Sequence, residues 1–249
     1  MRTVQAVAWK EIQIYFSSPV AYIVALIFLA VTGFFFCVDL TKPFPEASLS
    51  NFFSGPEIDS GLMRFGGASL MLILLAPALT MRLLAEEQKL GTIELLLTSP
   101  VRDWEVIVGK FLSSLVFLLA MIAFTLYYPL LLWVFGRPDP GPIYSGYLGL
   151  VLYSAAALSI GILTSTLTSN QIIAFVVAAG ILALMYFATL GTVGAEGIWA
   201  TLVTEIGMQS HFIDFQRGII DTKHIVYFLS VTAFFLFLSI RALEFRRWR

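Results

Sequence analysis

Five stretches of the chain contain no Asp, Glu, Lys or Arg and consist mostly of apolar residues. A helix needs about 20 such residues to cross the roughly 30 Å hydrocarbon core of a bilayer. The stretch over residues 140–195 is too long for one crossing, and the polar segment 164–170 divides it into two. The pattern therefore predicts an all-α protein with six membrane-spanning helices. We place these spans near residues 19–38, 63–83, 107–135, 143–165, 171–191 and 223–242.

The composition agrees with a membrane protein and disfavours other classes. Hydrophobic residues make up 59% of the chain and charged residues 12%, whereas a soluble domain is about 25% charged. A soluble enzyme is therefore disfavoured. The net charge of −1 provides no basic field for binding nucleic acid. One cysteine and two histidines provide neither a disulfide framework nor a dense metal site.

The charges near the span ends predict the orientation of the chain. Ten of the 15 basic residues fall on the side of the two termini, together with seven acidic residues, and the other side has five basic and nine acidic residues. Because positively charged loops stay in the cytoplasm, both termini are expected there. No charge falls at mid-membrane, which disfavours an ion-coupled transporter. The chain also lacks a G-x-x-x-x-G-K-[ST] loop for ATP, so any pumping would depend on hydrolysis by a partner.

The most polar segment lies between spans two and three, at residues 84–104. Its pattern predicts that span two continues as a charged helix, breaks at Gly91 and is followed by a short helix at 93–98 that ends before Pro100. Asp103 would then cap span three. Such an elbow would face the cytoplasm, where its leucines need cover. Either a groove on another protein or the lipid headgroups would supply this cover, and composition favours neither.

Residues 3–16 predict an amphipathic helix along the cytoplasmic membrane surface. The apolar side chains fall within one broad arc, and Lys10 and Gln13 fall opposite it. Glu11 interrupts the apolar arc, which leaves open whether this position faces lipid or protein.

Three segments carry a resemblance to a known family. The first is Glu86-Glu87 with Gly91-Thr92-Ile93-Glu94-Leu95-Leu96-Leu97-Thr98-Ser99-Pro100 and then Gly109-Lys110. The second comprises Lys10-Glu11 and Tyr15-Phe16-Ser17-Ser18-Pro19, and the third runs from His211 to Asp221 before Tyr227-Phe228. Over essentially its whole length the chain resembles the permease subunits of type-2 ABC exporters, and within them the gliding-motility type. The same group includes the permease that serves nitrous oxide reductase maturation, which leaves the substrate open.

The resemblance implies a single transmembrane domain over residues 1–249 and a set of partners. It implies a connecting helix at 3–16, a coupling helix within 85–99 and an external loop at about 194–222 with short half-inserted helices. A second permease copy or a related membrane subunit would form a dimer with this chain. Each copy would dock an ABC ATPase that binds the ATP and Mg²⁺, while this chain would have no cofactor, metal or catalytic residue of its own. The residues implied to couple the ATPase to the spans are Glu86, Glu87, Gly91, Thr92, Glu94 and Arg102.

Two further hypotheses assign the protein to other functional classes, a membrane scaffold and an intramembrane protease. A non-transporting membrane scaffold could recruit an ATPase through the same loop for mechanical or assembly work on a partner. An intramembrane protease would need Ser69, in the weak motif Gly67-Ala68-Ser69-Leu70, together with His224 at the mouth of span six. The motif is a poor match, which favours a packing role for Ser69. His211 and Asp214 could share a helical face, but two groups do not make a metal site.

Small residues and prolines inside the spans predict local features of packing. Ala157 and Gly161, like Ala174 and Ala178, are four residues apart and permit close helix approach, either within the chain or at a dimer seam. Pro77 and Pro129 lie inside spans and predict kinks.

Overall fold

The computed structural model describes residues 2–41, 49–58, 63–64, 66–92, 102–188 and 197–247, and these residues are predominantly helical. The first half contains α1 (Arg2–Ser17), α2 (Pro19–Leu40), α3 (Ser50–Ser54), α4 (Gly67–Lys89), α5 (Asp103–Thr125) and α6 (Tyr127–Phe135). The second half contains α7 (Pro140–Leu167), α8 (Gln171–Phe187), α9 (Ile198–Ile206), α10 (Met208–Gln216) and α11 (Thr222–Arg247). A two-residue antiparallel ladder pairs β1 (Glu57–Ile58) with β2 (Met63–Arg64). The prediction of an all-α fold is confirmed apart from this ladder.

Five helical segments among the described residues are long and apolar enough to cross a membrane: α2, α4, α5 together with α6, α7 and α11. The fifth predicted span corresponds to α8, which has 17 described helical residues; its predicted end at 189–191 lies outside the described residues. A count of six spans therefore stays a prediction. α2 and α11 leave most of their apolar side chains uncovered by the rest of the chain, as expected of helices in contact with lipid.

Two predicted spans have different boundaries in the structure. Span two begins at Gly67 and not near 63, because residues 63–64 pair in the ladder. Span three is two helices that meet at Leu126. Pro129 has no N–H to donate to the carbonyl of Thr125, and that carbonyl accepts a hydrogen bond from Tyr147 Oη at 2.9 Å instead. The break lies at Leu126, three residues before Pro129, which is itself inside α6; the kink at Pro129 stays a prediction.

α7 lies at the centre of the bundle and packs along α4 and α11. At Gly161 a Cβ atom would lie 2.1 Å from Thr80 Oγ1, so the absence of a side chain permits the close contact between α7 and α4. Ala157, Ala174 and Ala178 are also fully buried within the chain. The small residues therefore pack helices inside one chain, which resolves the choice between intrachain packing and a dimer seam for these positions.

The direction of α7 defines two ends of the bundle. Near its beginning, Gly149 packs against Phe215 of α10, and near its end, Ser165 contacts the last turns of α4. We call the end that contains Ser165 the elbow end, because the chain breaks there at Gly91 after α4, and we call the opposite end the far end. α9 and α10 are two short helices at the far end, joined at Gly207. Short half-inserted helices were predicted in the loop 194–222; its described part contains two short helices, and their insertion into the membrane stays a prediction.

Candidate functional site

The elbow, residues 86–92, comprises the end of α4 and the turn that follows it. Leu90 N donates to Glu86 O at 2.9 Å, and Gly91 N donates to Gln88 O at 3.3 Å. Gly91 has a φ of +71°, a backbone conformation that residues other than glycine rarely adopt. The predicted break at Gly91 is therefore confirmed. The predicted short helix at 93–98 lies outside the described residues.

The residues implied by the resemblance to couple a partner are placed in different ways. Glu86, Gly91, Thr92 and Arg102 are exposed, and Thr92 Oγ1 donates to the carbonyl of Glu87 at 3.3 Å. Glu87 itself is mostly buried. Glu94 lies outside the described residues.

Arg102 precedes the first residue of α5. Its backbone N–H donates to Glu105 Oε2 at 3.2 Å, so Arg102 occupies the N-cap position. The prediction that Asp103 caps this helix was wrong by one position, since Asp103 is the first helical residue.

Glu87 belongs to a buried ionic cluster, which we call the elbow triad: Glu11 of α1, Glu87 of α4 and Lys110 of α5. Lys110 Nζ lies 2.8 Å from Glu11 Oε1 and 2.8 Å from Glu87 Oε1. It also donates to the carbonyl of Leu83 at 2.7 Å. An ammonium group has three N–H donors, so all three are used by partners on α1 and α4. Lys110 is 1% exposed, and the triad therefore joins three helices within the protein.

The charges of the elbow triad depend on Lys110, the one positive group among its three members. Moving each charge out of water costs several kcal/mol, which close opposite charges and hydrogen bonds offset. Two carboxylates share one ammonium here, and Glu87 Oε2 is buried with no hydrogen-bond partner among the described contacts. Loss of Lys110 would leave two buried negative charges facing each other. The elbow is therefore attached at Glu87 to Lys110 of α5, and through Lys110 to Glu11 of α1.

Sequence reasoning did not assign a role to Lys110 or Glu11 in this site. The sequence does mark both positions as unusual. Lys110 is a charged residue at the fourth position of the predicted span 107–135, and Glu11 interrupts the apolar arc of α1. The structure shows that Glu11 faces protein, with 7% of its surface exposed. Lys110, counted among the charges near the membrane surface, is enclosed by protein. Their pairing spans 99 positions along the chain and depends on tertiary packing.

A second connection joins the end of α4 to α7. Ser165 Oγ accepts hydrogen bonds from Leu84 N and Ala85 N, each at 3.1 Å, and donates to Met81 O at 3.1 Å. In a regular α-helix Ala85 N would bond to Met81 O, so the serine hydroxyl inserts into the hydrogen-bond ladder of α4. Gln88 Nε2 adds a bond to Thr166 O at 2.9 Å. The last turns of α4 are thus attached to α7 immediately before the elbow.

α1 docks against both α4 and α5. Tyr15 Oη donates to Leu79 O at 2.7 Å, and Arg82 Nη1 donates to Ser18 Oγ at 3.1 Å. At Gly109 a Cβ atom would lie 2.9 Å from Val7 Cγ1, so α1 approaches α5 closely beside Lys110. The predicted helix at 3–16 is present, and its location at the membrane surface stays a prediction.

The far end holds the residues of the protease hypothesis. His224 Nε2 lies 2.9 Å from Asp214 Oδ2, and His224 Nδ1 lies 2.7 Å from His211 Nδ1. Both ring nitrogens of His224 are thus occupied by partners other than Ser69, which is buried in α4. His224 therefore does not act as a base for Ser69, and the structure argues against the protease hypothesis.

The comparisons with known proteins agree with this helical architecture. A family model described as "ABC-2 family transporter protein" matches residues 38–241, which include the elbow and all the helices from α3 to α10. Two curated relatives, both named "Probable multidrug ABC transporter permease YbhR", come from Escherichia coli strain K12 and Escherichia coli O157:H7. Each is 29% identical to this chain over 140 residues, which are 54% of this chain and 37% of the relative. The match therefore covers well under half of each relative. Since the family model covers most of the chain, this multi-pass membrane protein belongs to the ABC-2 family of transporter proteins.

Proposed function

We propose that this protein is the transmembrane permease subunit of an ATP-driven ABC exporter of the gliding-motility type, in a bacterial cytoplasmic membrane. A separate ABC ATPase docks at the elbow, binds ATP and Mg²⁺, and supplies the work. The observation that carries the proposal is the elbow triad, in which an exposed loop of a family member is connected to two further helices by buried ionic contacts. Six spans, including α8, form one domain over residues 1–249.

The proposed coupling path begins on the exposed surface of the elbow. Glu86, Gly91, Thr92 and Glu94 contact the ATPase, and Arg102 adds a contact at the start of α5. Charged groups on such a surface specify partner and register more than they add affinity. A closing movement of the ATPase displaces the elbow and with it Glu87.

Two sets of contacts then carry the movement of the elbow to other helices. The elbow triad carries it to α1 and α5, while Ser165 and Gln88 carry it to α7. α7 in turn packs along α11 and against α10, so a movement at the elbow end reaches the far end through one central helix. A second permease copy or a related membrane subunit supplies the other half of the pathway.

The test is co-purification from native membranes, with the partners identified by mass. We expect an ABC ATPase to be retained with this chain, and ATP hydrolysis to appear only in fractions that contain both. The experiment also separates the exporter from a scaffold: reconstituted vesicles containing the complex should accumulate a transported compound on ATP addition. An ATPase that binds without any transport in vesicles would favour the scaffold, and the absence of an ATPase would contradict both.

The proposed orientation predicts that the elbow end faces the cytoplasm. Lys89 and Arg102 mark the elbow end, and Ile220 marks the far end; all three are exposed. In a Cys37→Ser background, cysteine at position 220 should react with a membrane-impermeant reagent in intact cells. Cysteines at positions 89 and 102 should react only after the membrane is opened. Labelling of position 89 in intact cells, with position 220 protected, would reverse the orientation.

The proposed half-insertion of the external loop concerns α9. Its exposed apolar residues include Ile198, Val203 and Ile206, whereas Glu205 pairs with Lys223 at 2.8 Å. An amphipathic helix of this kind lies with its apolar side in the bilayer surface. Spin labels placed one by one along 198–206 should show oxygen accessibility with a helical period. Equal exposure of all positions to a water-soluble relaxing agent would contradict the insertion.

A further inference from the structure

The two histidines of the chain meet at the far end, and the proposed coupling path uses neither. His211 of α10 is 3% exposed and His224 of α11 is 8% exposed. Their Nδ1 atoms are 2.7 Å apart. His211 Nε2 lies 3.0 Å from the backbone carbonyl of Glu205 in α9, and His224 Nε2 lies 2.9 Å from Asp214 Oδ2 in α10. A continuous chain of polar contacts thus connects α9, α10 and α11.

The partners determine where the protons lie in this chain of contacts. The carbonyl of Glu205 only accepts, so His211 Nε2 carries a hydrogen, and in the neutral ring His211 Nδ1 is an acceptor. His224 Nδ1 must therefore donate to it. The carboxylate of Asp214 also accepts, so His224 Nε2 carries a hydrogen too. The arrangement is satisfied when His211 is neutral and His224 is an imidazolium paired with Asp214.

One further proton makes the same arrangement unfavourable. If His211 also becomes an imidazolium, two N–H groups and two positive charges face each other across 2.7 Å. The hydrogen bond between the rings is then lost, and like charges repel at short range.

The neighbouring charges do not cancel this repulsion. Lys223 and Arg217 add positive charge, whereas Asp214 and Glu205 are already engaged by His224, Arg217 and Lys223. The Oε2 atom of Glu205 is 3.9 Å from His211 Nε2, too far for a hydrogen bond. Asp221 accepts from the backbone N–H of Lys223 at the start of α11. The ring of Tyr227, stacked 3.9 Å from His211, closes the remaining side.

We propose that His211 and His224 form a proton-operated latch that holds α9 and α10 on α11 and opens when His211 takes up a proton. The latch controls α10, whose other side contacts the rest of the bundle. Gln209 Nε2 donates to Ser54 Oγ of α3, and Phe215 packs on Gly149 of α7. Opening therefore loosens a helix that bridges α3, α7 and α11 at the far end. The latch itself does not depend on the proposed function, but the compartment whose pH it senses rests on the proposed orientation.

Burial of His211 favours the latch at neutral pH. Desolvation lowers the pKa of this imidazole below its ordinary value of 6.5, and the charge of His224 acts in the same direction. His211 released from the latch would take up a proton near pH 6.5, whereas latched His211 does so only at lower pH. Proton uptake by His211 therefore weakens the closed state as the pH falls below 6.5, by up to about tenfold per pH unit.

Histidine NMR tests the proton assignment without any substitution. The protein, purified in nanodiscs with an affinity tag that contains no histidine, is labelled with ¹⁵N only at histidine, so the spectrum reports these two rings. At pH 7.5 we expect the His211 ring to be neutral and protonated at Nε2. As the pH is lowered, this ring should become an imidazolium only below pH 6.5. A His211 ring that titrates at or above pH 6.5, or that is protonated at Nδ1 while neutral, would overturn the latch.

Hydrogen exchange of α10 tests the opening. After correction for intrinsic exchange rates, protection of segment 208–217 in the natural protein should fall by up to about fivefold between pH 6.5 and 5.5, while segment 150–160 of α7 serves as an unchanged internal reference. The variant His211→Gln keeps a donor for Glu205 and an acceptor for His224 but cannot be protonated. Its protection should be the same at both pH values. An equal loss in the natural protein and the variant would show that acid acts elsewhere and would overturn the proposal.

Discussion

Lys110→Met is expected to lower the free energy of unfolding by about 3–5 kcal/mol, the usual cost of removing one partner from a buried ionic cluster. Methionine keeps most of the side-chain volume, so the loss is electrostatic and does not come from a cavity. Without the ammonium, the carboxylates of Glu11 and Glu87 face each other in a site of low dielectric constant. The measurement is unfolding of the purified protein in mixed micelles with increasing SDS, followed by tryptophan fluorescence.

Two further variants distinguish this explanation from general damage to α5. Adding Glu11→Gln and Glu87→Gln to Lys110→Met removes every charge of the elbow triad and should recover most of the lost stability. Lys89→Met removes a positive charge from an exposed position on α4 and should change the free energy of unfolding by less than about 0.5 kcal/mol. A triple variant as unstable as Lys110→Met would show that the carboxylates are not the cause.

The parts of the fold that depend on local patterns were predictable from the sequence. Long uncharged stretches become long apolar helices because an unpaired charge in hydrocarbon is too costly, and the core of each of the five candidate spans follows this rule. Gly91 was predictable as a break because glycine alone readily adopts a positive φ. Boundaries were less certain: residues 63–64 were predicted as the start of a helix and instead pair as a strand.

The parts that depend on contacts between distant residues were not predictable. Nothing in the sequence near Ser165 indicates that its hydroxyl forms hydrogen bonds with backbone groups of α4, more than 80 positions earlier. The same holds for Lys110, whose partners come from α1 and α4. Glu86 and Glu87 look equivalent in the sequence. The turn of the helix places Glu86 on the surface and Glu87 beside Lys110, and on this difference we propose a docking role for Glu86 and a transmitting role for Glu87.

Gly91→Pro is expected to reduce ATP-driven transport by at least about tenfold, a loss of roughly 1.4 kcal/mol or more in coupling. Proline fixes φ near −65°, whereas Gly91 has +71°, and it also removes the N–H that donates to Gln88 O. Leu90, now before a proline, is disfavoured in its helical conformation. The substitution changes the direction of the chain at the elbow. Glu87 of the elbow triad lies four residues earlier and keeps its contact with Lys110. The measurement is transport by the reconstituted complex, with Lys89→Met, which changes an exposed residue outside the proposed docking set, as the control.

Glu86→Lys and Glu87→Gln test the two proposed steps separately: docking of the ATPase and transmission of its movement to the membrane-spanning helices. Glu86 is exposed and outside the elbow triad, so charge reversal there should weaken retention of the ATPase while leaving the unfolding curve of the permease unchanged. Glu87→Gln removes a carboxylate from Lys110, so the ATPase should still bind while transport per hydrolysed ATP falls. Glu87→Lys is unsuitable, because a second buried ammonium beside Lys110 would destabilise the fold itself. If Glu86→Lys and Glu87→Gln both retain natural binding and transport, the elbow is not the coupling site and its leucines cover lipid headgroups instead.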